Sequence, residues 1–137
     1  MKRLAGIFVI GLFFSSFTLA DDYVVICNKN MEDLSISQVK AIFLKKLTFV
    51  NDIEVVPINL DARDPLRLKF EQEVLHLSFQ RLKIYWTKEH YMGHRPPVSM
   101  KSQESIKAFV KNVDGAIGYI DAKNFDDDLK VIYKWSE

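Results

Sequence analysis

Short apolar runs rich in β-branched residues alternate along this chain with segments of helical periodicity, and this alternation most constrains the fold. The strand-like runs are residues 23–27, 53–58, 116–120 and, near the C-terminus, 129–133. Between them, apolar residues recur every three or four positions, which is typical of amphipathic helices. This order predicts an α/β fold with a largely parallel or mixed sheet flanked by helices. Pro57 predicts the end of the second strand or an edge position.

The helix starts can be read from residues that cap a first turn. Ser35 precedes an apolar helical face, and Gln38 three positions later completes a capping box. Asp64 can cap the next helix, with Pro65 at the first helical position, where a missing N–H costs nothing. Two further helices are predicted to begin after Ser78 and Ser102.

The N-terminal segment has the three parts of a secretory signal. Lys2 and Arg3 precede an uncharged apolar run at residues 4–14, and Thr18 and Ala20 are small residues at the positions that a signal peptidase reads. We therefore expect a signal peptide at residues 1–20 and one mature domain at residues 21–137. The alternative is an uncleaved anchor, although the run is shorter than the about 20 residues that span a membrane.

Charge and cysteine content exclude some classes of function. After loss of Lys2 and Arg3, 17 basic side chains stand against 18 acidic ones. This balance gives no electrostatic case for nucleic acid or for an anionic membrane. The single cysteine, Cys27, cannot form an internal disulfide, and its apolar surroundings predict a buried thiol.

Five short motifs occur in order between residues 23 and 120. They are Val24-Val25-Ile26-Cys27-Asn28; Leu34-Ser35 with Gln38-Val39 and Ile42-Phe43-Leu44; Arg67-x-x-Phe70; Tyr85-Trp86 with Gly93 and Pro97; and Gly115-Ala116-Ile117-Gly118-Tyr119-Ile120. Together they resemble one lobe of the phosphate-binding periplasmic proteins of ABC transporters. The resemblance implies a single lobe of a type II periplasmic-binding-protein-like fold and a periplasmic location. It also implies phosphate or another small anion as ligand.

Two departures from that family bear on function. The family closes two lobes on its ligand, whereas this chain is long enough for one lobe. The family also carries Ser-Gly-Thr just before its arginine, where this chain has Asp64-Pro65-Leu66. Asp64 places a negative charge at the helix start and Pro65 removes an N–H donor, and both changes oppose phosphate.

The candidate ligand-binding residues are Arg63, Asp64 and Arg67. Guanidinium groups near a helix N-terminus can bind an anion. The alternative, which we favour, is a local salt bridge of an arginine with Asp61 or Asp64.

Other polar clusters give weaker signals. His90 and His94 have the spacing of a helical metal site, but Gly93 interrupts a helix through both and no third ligand is evident. Residues 126–128 are three aspartates that lack the alternating ligands of a calcium loop, so a solvated turn is expected. No catalytic set, metal site or cofactor is predicted, and we expect a non-enzyme. An aromatic cluster, for which core packing is favoured over a recognition surface, comprises Tyr85, Trp86 and Tyr91.

Three functional hypotheses follow. The first is a periplasmic module that binds a small anion weakly or assists phosphate uptake or sensing. The second is an interaction module whose exposed face contacts a membrane transporter, a sensor protein or a second copy of the chain to form a homodimer. The third, an enzyme acting on a phosphorylated substrate near Arg63 and Arg67, lacks a nucleophile and a metal set.

Overall fold

A computed structural model describes residues 22–136, so the signal peptide predicted at residues 1–20 lies outside the described residues. Within the described part, seven strands and four helices are followed or joined by loops and one 3-10 turn, Ala122–Asn124. The strands are β1 (Asp22–Cys27), β2 (Phe49–Val50), β3 (Ile53–Glu54), β4 (Val56–Leu60), β5 (Val98–Met100), β6 (Ala116–Asp121) and β7 (Lys130–Ser136). The helices are α1 (Ile36–Phe43), α2 (Pro65–Glu73), α3 (Phe79–Tyr91) and α4 (Gln103–Asn112). None of these helices in residues 22–136 is long and apolar enough to cross a membrane.

The predicted caps are confirmed. Gln38 N–H donates to Ser35 Oγ at 3.1 Å, and Ser35 N–H donates to Gln38 Oε1 at 2.8 Å, which completes the capping box of α1. The hydroxyls of Ser78 and Ser102 accept backbone N–H bonds at the starts of α3 and α4. Because each such cap stabilises a helix by about 1 kcal/mol, these local signals fix the helix boundaries.

The main sheet has five strands in the order β5-β4-β6-β1-β7. β4 runs parallel to β5 and to β6, whereas β1 runs antiparallel to both β6 and β7. The sheet is therefore mixed, and the predicted fold class, an α/β fold with a mixed sheet flanked by helices, is confirmed. A separate two-stranded ribbon joins β2 to β3.

Pro57 lies in β4, which has a neighbour on each side, so the expected strand end or edge position is wrong. Val56 N–H donates to Gly115 O at 2.8 Å on the β6 side, and amide directions alternate along a strand. The nitrogen of Pro57 therefore points toward the β5 side, where pairing begins only at Ile58, opposite Val98. No ladder bond is lost at Pro57, because its missing N–H falls where the neighbouring strand has not yet begun.

Neighbouring residues of β6 show that the sheet is covered on both faces. Tyr119 stacks on Phe70 of α2 at 4.0 Å and contacts Phe43 of α1 at 6.0 Å between ring centroids. One residue earlier in β6, a Cβ added to Gly118 would lie 2.7 Å from Cγ2 of Ile106 in α4. Successive residues of a strand point to opposite faces. Helices α1 and α2 therefore cover one face, and α4 covers the other.

Cys27 ends β1 and is fully buried, as predicted. Burial raises the pKa of its thiol to about 11, from a reference value of 9.0. Since the thiolate is the reactive form, the folded protein should react with a disulfide reagent at pH 8 far more slowly than the protein in urea. The absorbance of the thiolate released from the reagent measures both rates, and equal rates would contradict burial.

Burial of Cys27 also predicts a pH dependence of stability. Because the pKa of the thiol is higher in the folded protein, the unfolded state loses this proton first as the pH rises, so the free energy of unfolding should fall between about pH 9 and pH 11.

Candidate functional site

The predicted site residues lie where the chain leaves β4 and enters α2. Arg63 is exposed in the connecting loop, Asp64 is the N-cap of α2, and Arg67 lies in the first turn of that helix. Asp64 Oδ1 accepts a hydrogen bond from the N–H of Leu66 at 2.9 Å. Pro65 occupies the first helical position, as expected. The structure thus brings Asp64 and Arg67 to one helix start.

The backbone N–H groups of this segment bond within the loop itself. Asp61 accepts the N–H of Arg63 on its carboxylate at 3.1 Å and the N–H of Asp64 on its carbonyl at 2.9 Å. The N–H of Arg67 donates to Asp64 O at 3.0 Å. Anions bind at helix starts through free N–H groups. In this described stretch those groups are taken, by the loop's own carbonyl and carboxylate oxygens.

The Arg67 guanidinium is engaged by three partners from different elements. Its Nε donates to Glu71 Oε2 at 2.9 Å, one helical turn further along α2. Its Nη1 donates to Leu60 O at 3.0 Å, at the end of β4, and to Ser99 Oγ at 3.3 Å, in β5. The exposed fractions of the two side chains are 19% for Arg67 and 8% for Glu71. The ion pair therefore ties α2 to the carboxyl ends of two parallel strands from a largely dry position.

The expected salt-bridge partner of Arg67 is wrong. The sequence favoured Asp61 or Asp64, but those carboxylates accept backbone N–H bonds, and the guanidinium pairs with Glu71. The missed signal was present, because Arg67 and Glu71 stand four residues apart on a predicted helix.

Tyr119 joins the same end of the sheet through its hydroxyl. That hydroxyl donates to Asn59 Oδ1 at 2.9 Å and accepts the N–H of Leu60 at 3.1 Å. Burial is the first cause that raises the pKa of Tyr119 far above its usual value. The hydroxyl therefore stays protonated and serves as a fixed donor. These two hydrogen bonds fix the end of β4, where the carbonyl of Leu60 also accepts the hydrogen bond from Arg67.

A cavity of about 220 Å³ lies beside the ion pair. Arg67 and Glu71 line one side, and Lys83 and Trp86 of α3 line another. The wall combines two cations, one carboxylate and apolar surface. This chemistry suits a small anion only if the attraction of the two cations exceeds the repulsion of Glu71.

Core packing is the wrong expectation for much of the aromatic cluster. Tyr85 and Trp86 are half-buried, and the exposed fraction of Tyr91 is 84%. Among the described residues of α3, Leu82 alone is buried. The periodicity is genuine, but the face it defines has little protein packed against it.

The remaining polar clusters are paired locally. His94 Nδ1 lies 2.9 Å from Glu89 Oε1, and Gly93 separates it from the helix that carries His90. Across residues 22–136, no three His, Cys, Asp or Glu side chains form a group that could hold a metal ion. In the triple-aspartate turn, Asp126 and Asp128 are bound by Lys107 at 2.8 Å and Lys111 at 2.6 Å, both from α4.

Solved structures resemble this arrangement of elements. An ABC-type phosphate transport receptor from Vibrio cholerae superposes with a TM-score of 0.65 at 20% sequence identity, over 85% of this chain and 47% of its own. The chain has a periplasmic-binding-protein-like fold. A protein from Clostridium perfringens, assigned as a phosphate ABC transporter substrate-binding protein and solved with bound phosphate, superposes with a TM-score of 0.64 at 24% identity. It matches 82% of this chain and 44% of its own length.

The chain thus spans about half the length of the solved structures that it matches. No protein-family model and no curated protein sequence matches the chain. At these identities the likeness establishes the fold, including the single-lobe architecture expected from the motif order.

Proposed function

We propose that this chain is an exported interaction module, built on one lobe of a substrate-binding fold, rather than a carrier of phosphate. The observation that carries the proposal is the closed start of α2, where Asp64 caps the helix and Glu71 holds the guanidinium of Arg67. The fold supports a relationship to solute-binding proteins. The export signal at residues 1–20 and the periplasmic location belong to the same proposal.

Electrostatics at the helix start supports this assignment. A helix N-terminus attracts anions because its N–H groups and macrodipole present positive charge. Asp64 already supplies a carboxylate there, so an incoming phosphate meets a like charge and occupied donors. Pro65 withholds one further N–H. The proposed partner is therefore another protein, such as a membrane transporter, a sensor or a second copy, and we assign no catalytic role.

Inorganic phosphate should not bind at millimolar concentration. Calorimetric titration of the purified protein with phosphate is expected to give no saturable heat. The melting temperature in phosphate should equal the melting temperature in the same concentration of sulfate. A ligand at 100 times its dissociation constant would stabilise the fold by about 2.7 kcal/mol, which a melting assay resolves easily. A saturable heat with a matching rise in melting temperature would overturn the proposal.

A weak anion site is the second candidate, and one observation favours it. Nη2 of Arg67 has no hydrogen bond within residues 22–136, and Lys83 lines the same cavity of about 220 Å³. Those two cations could hold an anion without the helix start. If phosphate does bind, Lys83→Ala should weaken it. The control Lys29→Ala should not, because Lys29 is exposed and follows Asn28, which bonds to Ala116 at the opposite end of β6.

A further inference from the structure

Helix α3 is long, amphipathic in sequence and poorly covered. It spans Phe79–Tyr91, and its apolar residue Ile84 has an exposed fraction of 59%. Met92, just after the helix, is 61% exposed. Apolar side chains at helical spacing normally face a core, so an uncovered set indicates a contact surface.

A groove runs between α3 and the end of α1. Its volume is about 640 Å³, which makes it larger than the cavity beside Arg67. Its apolar part is formed by Leu44, Leu77, Ile84, Tyr85 and Met92. We call this feature the α1–α3 groove.

Direct contacts between the two walls preform the α1–α3 groove. The hydroxyl of Tyr85, on α3, donates to the carbonyl of Leu44, at the end of α1, at 2.7 Å. The ammonium of Lys46 lies 5.7 Å from the centroid of the Tyr85 ring, within the range of a cation–π contact. A groove that exists before binding lowers the entropy cost of docking a partner.

The charges around the α1–α3 groove are strongly one-sided. Its lining includes four cationic side chains, Lys40, Lys46, Arg81 and Lys88. Glu89 is the acidic residue of that lining in the described part of the chain, and its carboxylate is bonded to His94. The full chain carries 19 basic and 18 acidic side chains, so the positive charge here is a local concentration. A partner that fits this surface must be acidic and must also carry apolar side chains.

We propose that the α1–α3 groove docks an acidic peptide segment of a partner protein, with apolar anchors in the groove and carboxylates on its cationic rim. This inference rests on the proposed interaction function and names the surface and the partner chemistry. A peptide fits better than an anionic bilayer, because a flat lipid surface would meet the cations without filling the groove. A peptide also fits better than this chain's own aspartate turn, whose Asp126 and Asp128 are already bound by lysines.

Fluorescence anisotropy with a defined probe tests the proposal. The probe is a labelled helical peptide of about 16 residues with leucines at four- and three-residue spacing and glutamates on the flanks. It should bind the full chain saturably, and affinity should fall with added salt, since rim charges are screened beyond about 10 Å at 0.1 M. A peptide of the same composition with scrambled leucines should bind at least about tenfold more weakly.

Matched variants locate the binding surface. Arg81→Glu with Lys88→Glu should weaken the probe by about tenfold or more, because both reverse a rim charge. Lys101→Glu with Lys123→Glu changes the net charge equally at exposed positions outside the α1–α3 groove, and should leave affinity unchanged. Ile84→Ser should also weaken binding, whereas Leu68→Ser, at another exposed helical position, should not. Equal effects of the paired variants, or no binding of the probe, would overturn the proposal.

Three further measurements separate the alternatives. The protein should not co-sediment with vesicles of phosphatidylglycerol and phosphatidylcholine. Sedimentation equilibrium should show no self-association that Arg81→Glu with Lys88→Glu abolishes. Vesicle binding, or self-association that depends on these two residues, would assign the α1–α3 groove to another occupant. In living cells, a photo-cross-linking residue at position 84 should give a protein adduct, and one at position 101 should not. An adduct at position 101 alone would keep the proposed interaction function but remove this surface, and no adduct at either position would count against both.

Discussion

Replacing Phe70 by alanine is expected to lower the free energy of unfolding by about 3–5 kcal/mol, the usual cost of emptying a buried aromatic site. Phe70 is fully buried and stacks on Tyr119 with ring centroids 4.0 Å apart and planes 9° apart. It also meets Phe43 edge-on at 4.7 Å. One truncation therefore removes contacts among α1, α2 and β6. Since a domain of this size is stable by about 5–15 kcal/mol, the variant should be close to unfolding at 37 °C.

Urea denaturation followed by tryptophan fluorescence measures this loss, because Trp135 lies 6.0 Å from Phe70. The matched control is Phe79→Ala, at the start of α3, where the exposed fraction of the ring is 56%. That change should cost less than about 1 kcal/mol, since little apolar area leaves water there. Equal losses for Phe70→Ala and Phe79→Ala would contradict the packing described for the face of the sheet that α1 and α2 cover.

Local signals predicted the helices well, because the residues that start a helix stand beside it in the chain. Ser35 with Gln38, and Asp64 with Pro65, fix their helix starts through contacts within four residues. The sheet required distant information. The short strand β5 follows two prolines and exists because Val98 pairs with Ile58. No sequence pattern states that β1 inserts antiparallel between β6 and β7.

The ribbon of β2 and β3 is an intermediate case. Asn51 and Asp52 both have positive φ, 49° and 67°, which is the conformation that a two-residue hairpin turn requires. Asn and Asp are residue types that favour turns, and the strands on either side of this pair have two residues each. Strands so short carry no readable alternation, so the turn was detectable and the ribbon was not.

The candidate site divides in the same way. The role of Asp64 as a helix cap follows from the sequence. The pairing of Arg67 with Glu71 could also have been predicted, because the two residues stand four positions apart on a predicted helix. The contacts of Arg67 with Leu60 and Ser99 depend on the parallel pairing of β4 with β5. The largely exposed face of α3 was unreadable for another reason. Helical periodicity reports that a face is apolar, but it does not report whether that face is covered.

A double-mutant cycle at Arg67 and Glu71 distinguishes a structural ion pair from an arginine that serves a ligand. Arg67→Met should destabilise the fold by about 2–3 kcal/mol, because it leaves the nearly buried carboxylate of Glu71 without its cation. Glu71→Leu should cost a similar amount by leaving the guanidinium unpaired. The double variant should recover most of this loss, since a well-packed apolar pair often replaces a buried ion pair without net cost.

Chemical denaturation of the four proteins gives the coupling energy between the two positions, and Lys107→Met with Glu104→Leu is the matched control. That second pair is separated by 3.3 Å on α4, but Glu104 is 76% exposed, so its coupling should stay below about 1 kcal/mol. A coupling at Arg67 and Glu71 as small as the control's would mean that the guanidinium is not retained for stability. Arg67 would then be a candidate ligand group, and the closed helix start on which the interaction function rests would lose its main support.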